Sequence, residues 1–214
     1  MSYSAWKTLH DFMMSPQLAA KPMRVITLLS GGLDSATVLA SMRNHSRLAI
    51  GFDYGQPHRI ELQRAAEIAE TEGVSFLTLS VPAISKVNDV VFAGRNAVLV
   101  SVAASYAAAN GYDAVAIGCN YSDWERFPDC RPGFIKALGS AMEDGYGVKL
   151  LAPLLRMSKA QVVEVAKELG VPIDRTWSCY NPQPIEKPCG TCAACKVRDA
   201  ALSHFSHSPF NWTK

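Results

Sequence analysis

The stretch Val25-Ile26-Thr27-Leu28-Leu29-Ser30-Gly31-Gly32-Leu33-Asp34-Ser35 decides the fold. Its first five residues are apolar or β-branched and read as a buried strand, and a helical stretch follows Ser35 through about Met42. Strand, glycine turn and helix in that order form a phosphate-binding layout. Adjacent glycines let backbone N–H groups come close to phosphate oxygens, and a helix N-terminus adds donors without intrahelical partners and a partial positive charge. The candidate nucleotide contacts are Leu29, Ser30, Gly31, Gly32, Leu33, Asp34, Ser35 and Ala36, with the Ser30 and Ser35 hydroxyls as further donors. A bare Asp34 repels phosphate, so it is expected to cap the helix or to hold Mg²⁺ beside a pyrophosphate. The competing reading is an ordinary strand-to-helix turn with a capping aspartate.

Outward from this turn the chain alternates. β-branched and apolar runs at 24–29, 48–53, 75–79 and 114–118 are separated by segments of helical periodicity, which predicts an α/β fold: a Rossmann-like parallel sheet with helices on both faces. Over 57–71, Leu62, Ala65, Ala66 and Ala69 form an inward stripe. The 97–109 segment is apolar nearly all round, which predicts a helix buried in the domain or in a homodimer interface. Ser158 and Gln161 make a capping box before Val162, Val165, Ala166 and Leu169, and Gly170 with Pro172 ends that helix. Residues 1–22 read as a helical N-terminal extension with Trp6, Leu9 and Met13 at helical spacing. Residues 23–172 form the expected nucleotide-binding domain, and 173–214 a C-terminal metal-binding segment packed on it. Asp53 ends one expected strand and Asn120 falls just beyond another, at the carboxyl edge where ligands of such sheets bind.

The composition narrows the function. In 214 residues, 21 Lys and Arg against 19 Asp and Glu leave a charge of +2, too balanced for an extended nucleic-acid or membrane surface. No apolar run reaches the length of a membrane span and the start lacks a secretory pattern, so the expected location is the cytoplasm. Thiols stay reduced there, which turns attention to metal binding. Cys179, Cys189, Cys192 and Cys195 form a C-x9-C-x2-C-x2-C array able to close around one tetrahedral Zn²⁺ with no open position, a structural role that tethers the tail. An iron–sulfur cluster or a redox pair are the alternatives.

The turn lacks both the GxxxxGK[ST] and the GxGxxG patterns. Ser30-Gly31-Gly32-Leu33-Asp34-Ser35 instead resembles the loop of the N-type ATP pyrophosphatases, of the adenine nucleotide alpha hydrolase-like fold, which release pyrophosphate and leave AMP on the substrate. The chain from about 24 to 200 resembles the 7-cyano-7-deazaguanine synthase family in further pieces, in order: Asp53-Tyr54-Gly55-Gln56 with His58, Gly94-Arg95-Asn96, Gly118 with Asn120, Phe127-Pro128-Asp129-Cys130-Arg131-Pro132, Pro153-Leu154 with Ser158-Lys159, and Thr176-Trp177-Ser178-Cys179-Tyr180. The resemblance implies a small deazapurine carboxylate and ammonia as partners, ATP and Mg²⁺ as reagents, adenylated intermediates and a nitrile product.

It also implies roles. Asp34 and Ser35 would act at the pyrophosphate. Arg95 would pair with a carboxylate or phosphate, with Asn96 orienting it. Asn120, Asp123, Asp129 and Arg131 would bind substrate. His58 would accept a proton or guide ammonia, with a helix-start hydrogen bond as its alternative. One stretch departs from the family: the usual Asp-Tyr-Ser-Gly-Tyr is Asp123-Trp124-Glu125-Arg126-Phe127 here. That change, a short segment between about Leu79 and Gly94, and the extension keep other readings open: an amide product, a tRNA base or other macromolecule as acceptor, or a non-catalytic nucleotide-binding module.

Overall fold

A computed structural model describes residues 3–15, 18, 21–56, 59–81, 94–181 and 187–203. Its centre is β1 (Val25–Leu28), every residue of which is buried. The neighbours are β2 (Ser46–Asp53) and β4 (Ala114–Ala116), with β3 (Ser75–Ser80) and β5 (Lys149–Leu151) outermost, in the order β3-β2-β1-β4-β5. All four pairings are parallel. The chain builds β1, β2 and β3 outward on one side and then returns to lay β4 against the other side of β1. The order therefore reverses between β1 and β4, and their carboxyl ends splay into the crevice where such sheets bind ligands.

Alternate residues of the strands supply two cores, as a sheet covered on both faces requires. Val25, Ala49, Ala114 and Ala116 pack with α2 (Leu33–Ser41), α3 (Ile60–Thr71) and α6 (Lys159–Glu168). Ala201 and Leu202 of α7 (Ala193–Ser203) join this core, as do Ala5 and Leu9 of α1 (Tyr3–Met13). Ile26, Ile50, Val115 and Ile117 face the other way, toward α4 (Arg95–Ala109) and α5 (Pro132–Tyr146).

The expected elements are present with shifted ends and three differences. β5 carries only three residues at the edge of the sheet, too few to display a period in the sequence. α4 is one-sided: Val100, Ala103, Ala104 and Ala107 are buried, whereas Val98 is 38% exposed, because alanine lets the helix lie close to the sheet on one face only. In α1 it is Ala5 and Leu9 that are buried while Trp6 is 45% exposed, so Trp6 lies outside the inward stripe.

The capping box at the start of α6 is complete, with Ser158 Oγ accepting from Gln161 N and Gln161 Oε1 accepting from Ser158 N at 2.9 Å. Ser158→Ala leaves one first-turn donor without that acceptor and is expected to cost about 1 kcal/mol, read as a lower urea midpoint at unchanged slope. An unchanged midpoint would mean that the cap contributes nothing.

Candidate active site and metal centre

The turn between β1 and α2 is held in shape by its own hydroxyls. Ser35 Oγ donates to Gly32 O at 2.9 Å and accepts from Ser30 N at 3.2 Å, while Ser30 Oγ accepts from Gly32 N at 3.3 Å. Gly32 is the N-cap of α2 and makes no side-chain cap, so no cap side chain covers the donors of the first turn. Asp34 does not cap the helix, contrary to the first of the two roles expected for it. Its carboxylate is taken by Lys159 Nζ at 2.7 and 2.8 Å and by Asn120 Nδ2 at 3.1 Å. Lys159 reaches it because the N-terminus of α6 abuts the Tyr121–Asp123 turn, where Lys159 N donates to Ser122 Oγ at 3.0 Å.

These groups stand at one end of a cleft of about 320 Å³ at the carboxyl edge of the sheet. Of the sequence candidates, Leu29, Ser30, Gly32, Leu33, Asp34, Ser35, Arg95, Asn96 and Asp123 line it. Gly31 and Ala36 sit in the same turn and helix without lining it. Gly31 adopts φ +82° with its Cα against the carbonyl of Glu61, leaving no room for a side chain.

Four candidates for direct contact are not among the residues that line the cleft. Asp53 accepts from Gly55 N at 3.0 Å and pairs with Arg59 at 3.3 Å. Asn120 is fully buried, spending its amide on Asp34 and its carbonyl oxygen on Ser122 N. Asp129 accepts from Asn96 N at 3.0 Å, and Arg131 Nε donates to Trp124 O at 2.8 Å. Such groups support their neighbours rather than face the cleft, because strand-end and turn backbone in this region leaves donors and acceptors that side chains must satisfy. His58 lies outside the described residues.

Several lining residues were named in the sequence only as parts of motifs or not at all: Tyr54, Gln56, Glu61, Arg126, Trp177 and Tyr180. Trp177 and Tyr180 belong to the run leading into the cysteine array, a signal that long-range chain return was needed to interpret. Cys119 and Cys130 also line the cleft, and Asn96 Nδ2 donates to Cys130 Sγ at 3.3 Å.

Burial governs the titrating groups of the cleft. Burial, and then the neighbouring Asp34 charge, push the Asp123 carboxyl up to about 6. Burial also raises the phenols of Tyr54 and Tyr180, with the Arg95 guanidinium opposing it at both. Outside the residues that line the cleft, the sulfurs of Cys179, Cys189, Cys192 and Cys195 all lie within 4.8 Å of one another. Tetrahedral zinc with Zn–S of about 2.3 Å sets sulfurs about 3.8 Å apart, so a small contraction closes the site. Backbone N–H groups already donate into it: Cys189 N to Cys179 Sγ at 3.2 Å, Cys192 N to Cys189 Sγ at 3.3 Å and Cys195 N to Cys192 Sγ at 3.4 Å. The Cys192 and Thr191 amides push the Cys189 thiol down to about 6, favouring the thiolate that a metal takes. The donor set fits a metal ion.

The sequence profile described as queuosine biosynthesis protein QueC matches residues 24–92 and 85–206. The chain belongs to the QueC family. Among its relatives, a 7-cyano-7-deazaguanine synthase of Prochlorococcus marinus (strain MIT 9303) is 40% identical over 86% of this chain and 94% of its own length. Another, from Synechococcus sp. (strain CC9311), is 38% identical over 83% and 91%. Solved structures show the same fold at low identity. The U34-tRNA thiolase NcsA from Methanococcus maripaludis, with its [4Fe-4S] cluster, superposes with a TM-score of 0.62 at 14% identity, covering 94% of this chain and 70% of that one. An NMN synthetase from Francisella tularensis gives 0.54 at 20%, covering 95% and 86%. Among the described residues no helix is long and apolar enough to cross a membrane.

Asp123 gives a pH signature. Its folded-state carboxyl is raised, so its protonated form stabilises the fold below the usual carboxylate range and that contribution is lost as pH rises through about 6. Asp123→Asn keeps an oxygen to accept from Asn120 N. It is expected to raise Tm relative to wild type above pH 6 and to leave it unchanged near pH 4, as read by calorimetry. Equal differences at both pH values would contradict the raised carboxyl.

Proposed function

We propose that this chain is a carbon–nitrogen ligase that converts 7-carboxy-7-deazaguanine and ammonia to 7-cyano-7-deazaguanine, using two ATP and releasing two AMP and two pyrophosphate. The observation that carries the reading is the uncapped first turn of α2, edged by Ser30 and Ser35, opening into the cleft of a QueC-family chain. In the first half-reaction a carboxylate oxygen attacks the α-phosphorus of ATP and pyrophosphate leaves. Negative charge grows on the departing group, and the amides and hydroxyls of 30–35 stabilise it there without reorganising. Ammonia then displaces AMP to give the amide. A second adenylation at the amide oxygen, followed by loss of AMP and two protons, leaves the nitrile.

The roles follow from position. Lys159 neutralises Asp34 in the resting site and is close enough to transfer to a phosphate oxygen when the nucleotide enters. Asp34 and Asp123 offer carboxylate oxygens to a Mg²⁺, which supplies charge neutralisation at the phosphates when bound. Arg95, which lines the cleft, is assigned to the acid's carboxylate, with Asn96 N held beside it by Asp129. Asn120 holds Asp34 in place, and His58 remains the assigned proton acceptor or ammonia guide. Zinc is the assigned metal of the four cysteines, because their sulfurs surround a single point, whereas a four-iron cluster puts each sulfur on a different iron and spreads them. The working division is an extension over 1–22, a nucleotide domain over 23–172 and a zinc-binding segment over 173–214. The assigned setting is the cytoplasm, with a homodimer as the assembly.

A second reading has one observation in its favour. Arg126 and Phe127, from the stretch that departs from the family pattern, line the cleft proposed to bind substrate. The departure would stop the reaction at the amide or admit a larger acceptor.

Incubation with Mg-ATP, ammonium and the acid, followed by mass spectrometry, is expected to yield the nitrile with two AMP. The amide alone would favour the second reading, and no AMP with any acid would refute a ligase. Asp34→Ala and Ser35→Ala are each expected to lower the rate by at least about a hundredfold, the scale of losing one preorganised group at a developing charge. Full activity in either variant would refute the loop assignment.

A further inference from the structure

The metal centre and the nucleotide turn are far apart in sequence and share one segment. Trp177 is 5% exposed and its backbone N–H donates to Gly31 O at 2.8 Å. Its carbonyl oxygen lies 3.4 Å from the point where a Cβ on Gly32 would sit, so the segment rests directly on both glycines of the turn. Its indole Nε1 donates to the carbonyl of Cys179 at 2.9 Å, and Cys179 is one of the four clustered cysteines. One residue thus holds the nucleotide turn by its backbone and the metal segment by its side chain.

The segment is fixed from the other side as well. Arg198 is 2% exposed on α7, the helix that also carries Cys195. Its guanidinium donates to Thr176 Oγ1 at 2.6 Å, to Ser178 Oγ at 3.3 Å and to Ile173 O at 2.5 Å. A metal that draws Cys179 toward Cys192 and Cys195 therefore sets the spacing between 176–179 and α7. Opposite, the Glu61 carbonyl closes on Gly31. The turn is gripped between α3 and a segment whose position depends on the metal.

We infer that Trp177 is a positioning residue through which the metal site shapes the phosphate-binding turn, so that metal and nucleotide binding are thermodynamically linked. This rests on the reading of 30–35 as the nucleotide loop and of the cysteines as a zinc site. Linkage is reciprocal: a nucleotide that favours the gripped turn must tighten the metal, and the metal must tighten the nucleotide by the same factor. A purely structural zinc, remote in energy from the loop, would hold as firmly with nucleotide as without.

The experiment is equilibrium competition for zinc between the full-length protein and a chromogenic chelator, with and without saturating Mg²⁺ and α,β-methylene ATP, whose binding is measured in parallel by calorimetry. In wild type the nucleotide is expected to tighten zinc at least about fivefold, the lower end of ordinary coupling. Trp177→Phe keeps a buried aromatic ring and loses the donor to Cys179. It is expected to bind both ligands while the tightening falls below about twofold. Nucleotide binding without any change in zinc affinity in wild type would overturn the linkage and leave the nucleotide reading intact. Equal tightening in both proteins would overturn the role of Trp177. Absence of nucleotide binding to the zinc-loaded wild type would overturn the underlying reading and the inference with it. Should Trp177→Phe fail to fold, Arg198→Lys, which keeps the charge and loses the fork to Thr176 and Ser178, is expected to show the same loss of tightening, and full tightening there would count against the inference.

Discussion

A Cβ on Gly118 would lie 2.9 Å from the Ser35 amide nitrogen, and one on Gly31 would run into the carbonyl of Glu61. Backbone against backbone, with no side chain between, is the constraint on which the site depends. It brings the end of β4 onto the first turn of α2 and the start of α3 onto the loop before it, at the point where the strand order reverses. The donors of that turn are consequently fixed in direction by packing on three sides. Donors held in this way suit the preorganised stabilisation of a leaving pyrophosphate that the proposed function calls for.

Charge is arranged around the same turn. Asp34 projects from a helix N-terminus and is neutralised by Lys159 and hydrogen-bonded by Asn120, so the resting site carries no bare carboxylate next to the donors. Asp123, on the Tyr121–Asp123 turn, is largely buried near Asp34, and its carboxyl is raised for both reasons. Two carboxylates competing for charge in a half-buried cleft are relieved in part by Lys159, and a divalent cation of the proposed chemistry would relieve them further. At the far side, the cysteine array, the 176–179 segment and α7 form the wall that closes on the loop.

Much of this was legible in the chain, for identifiable reasons. Val25 to Ser35 carries strand, turn and helix signals within eleven consecutive residues, so the fold and the turn follow from local rules. The cysteine spacing and the Ser158–Gln161 box are equally local. What local rules missed is contact between distant segments. Asp34 reads as a cap or a Mg²⁺ ligand, and the partner that takes its carboxylate, Lys159, stands 125 positions later. Asn120, Asp129 and Arg131 read as substrate ligands, Asn120 from its place near a strand end and the other two from the family resemblance, and their partners within the fold are Asp34, Asn96 and Trp124. Trp177 carried no role in the sequence because its meaning lies in one bond to Gly31 and one to Cys179.

The central claim is that the turn after β1 handles a leaving pyrophosphate while AMP passes to a carboxylate. Exchange of labelled pyrophosphate into ATP, with Mg²⁺ and 7-carboxy-7-deazaguanine present and ammonia withheld, tests it most directly. Label is expected to enter ATP only when the acid is present, since reversal of adenylate formation is the route. ADP formation, or no exchange from a protein that binds both ATP and the acid, would contradict the account.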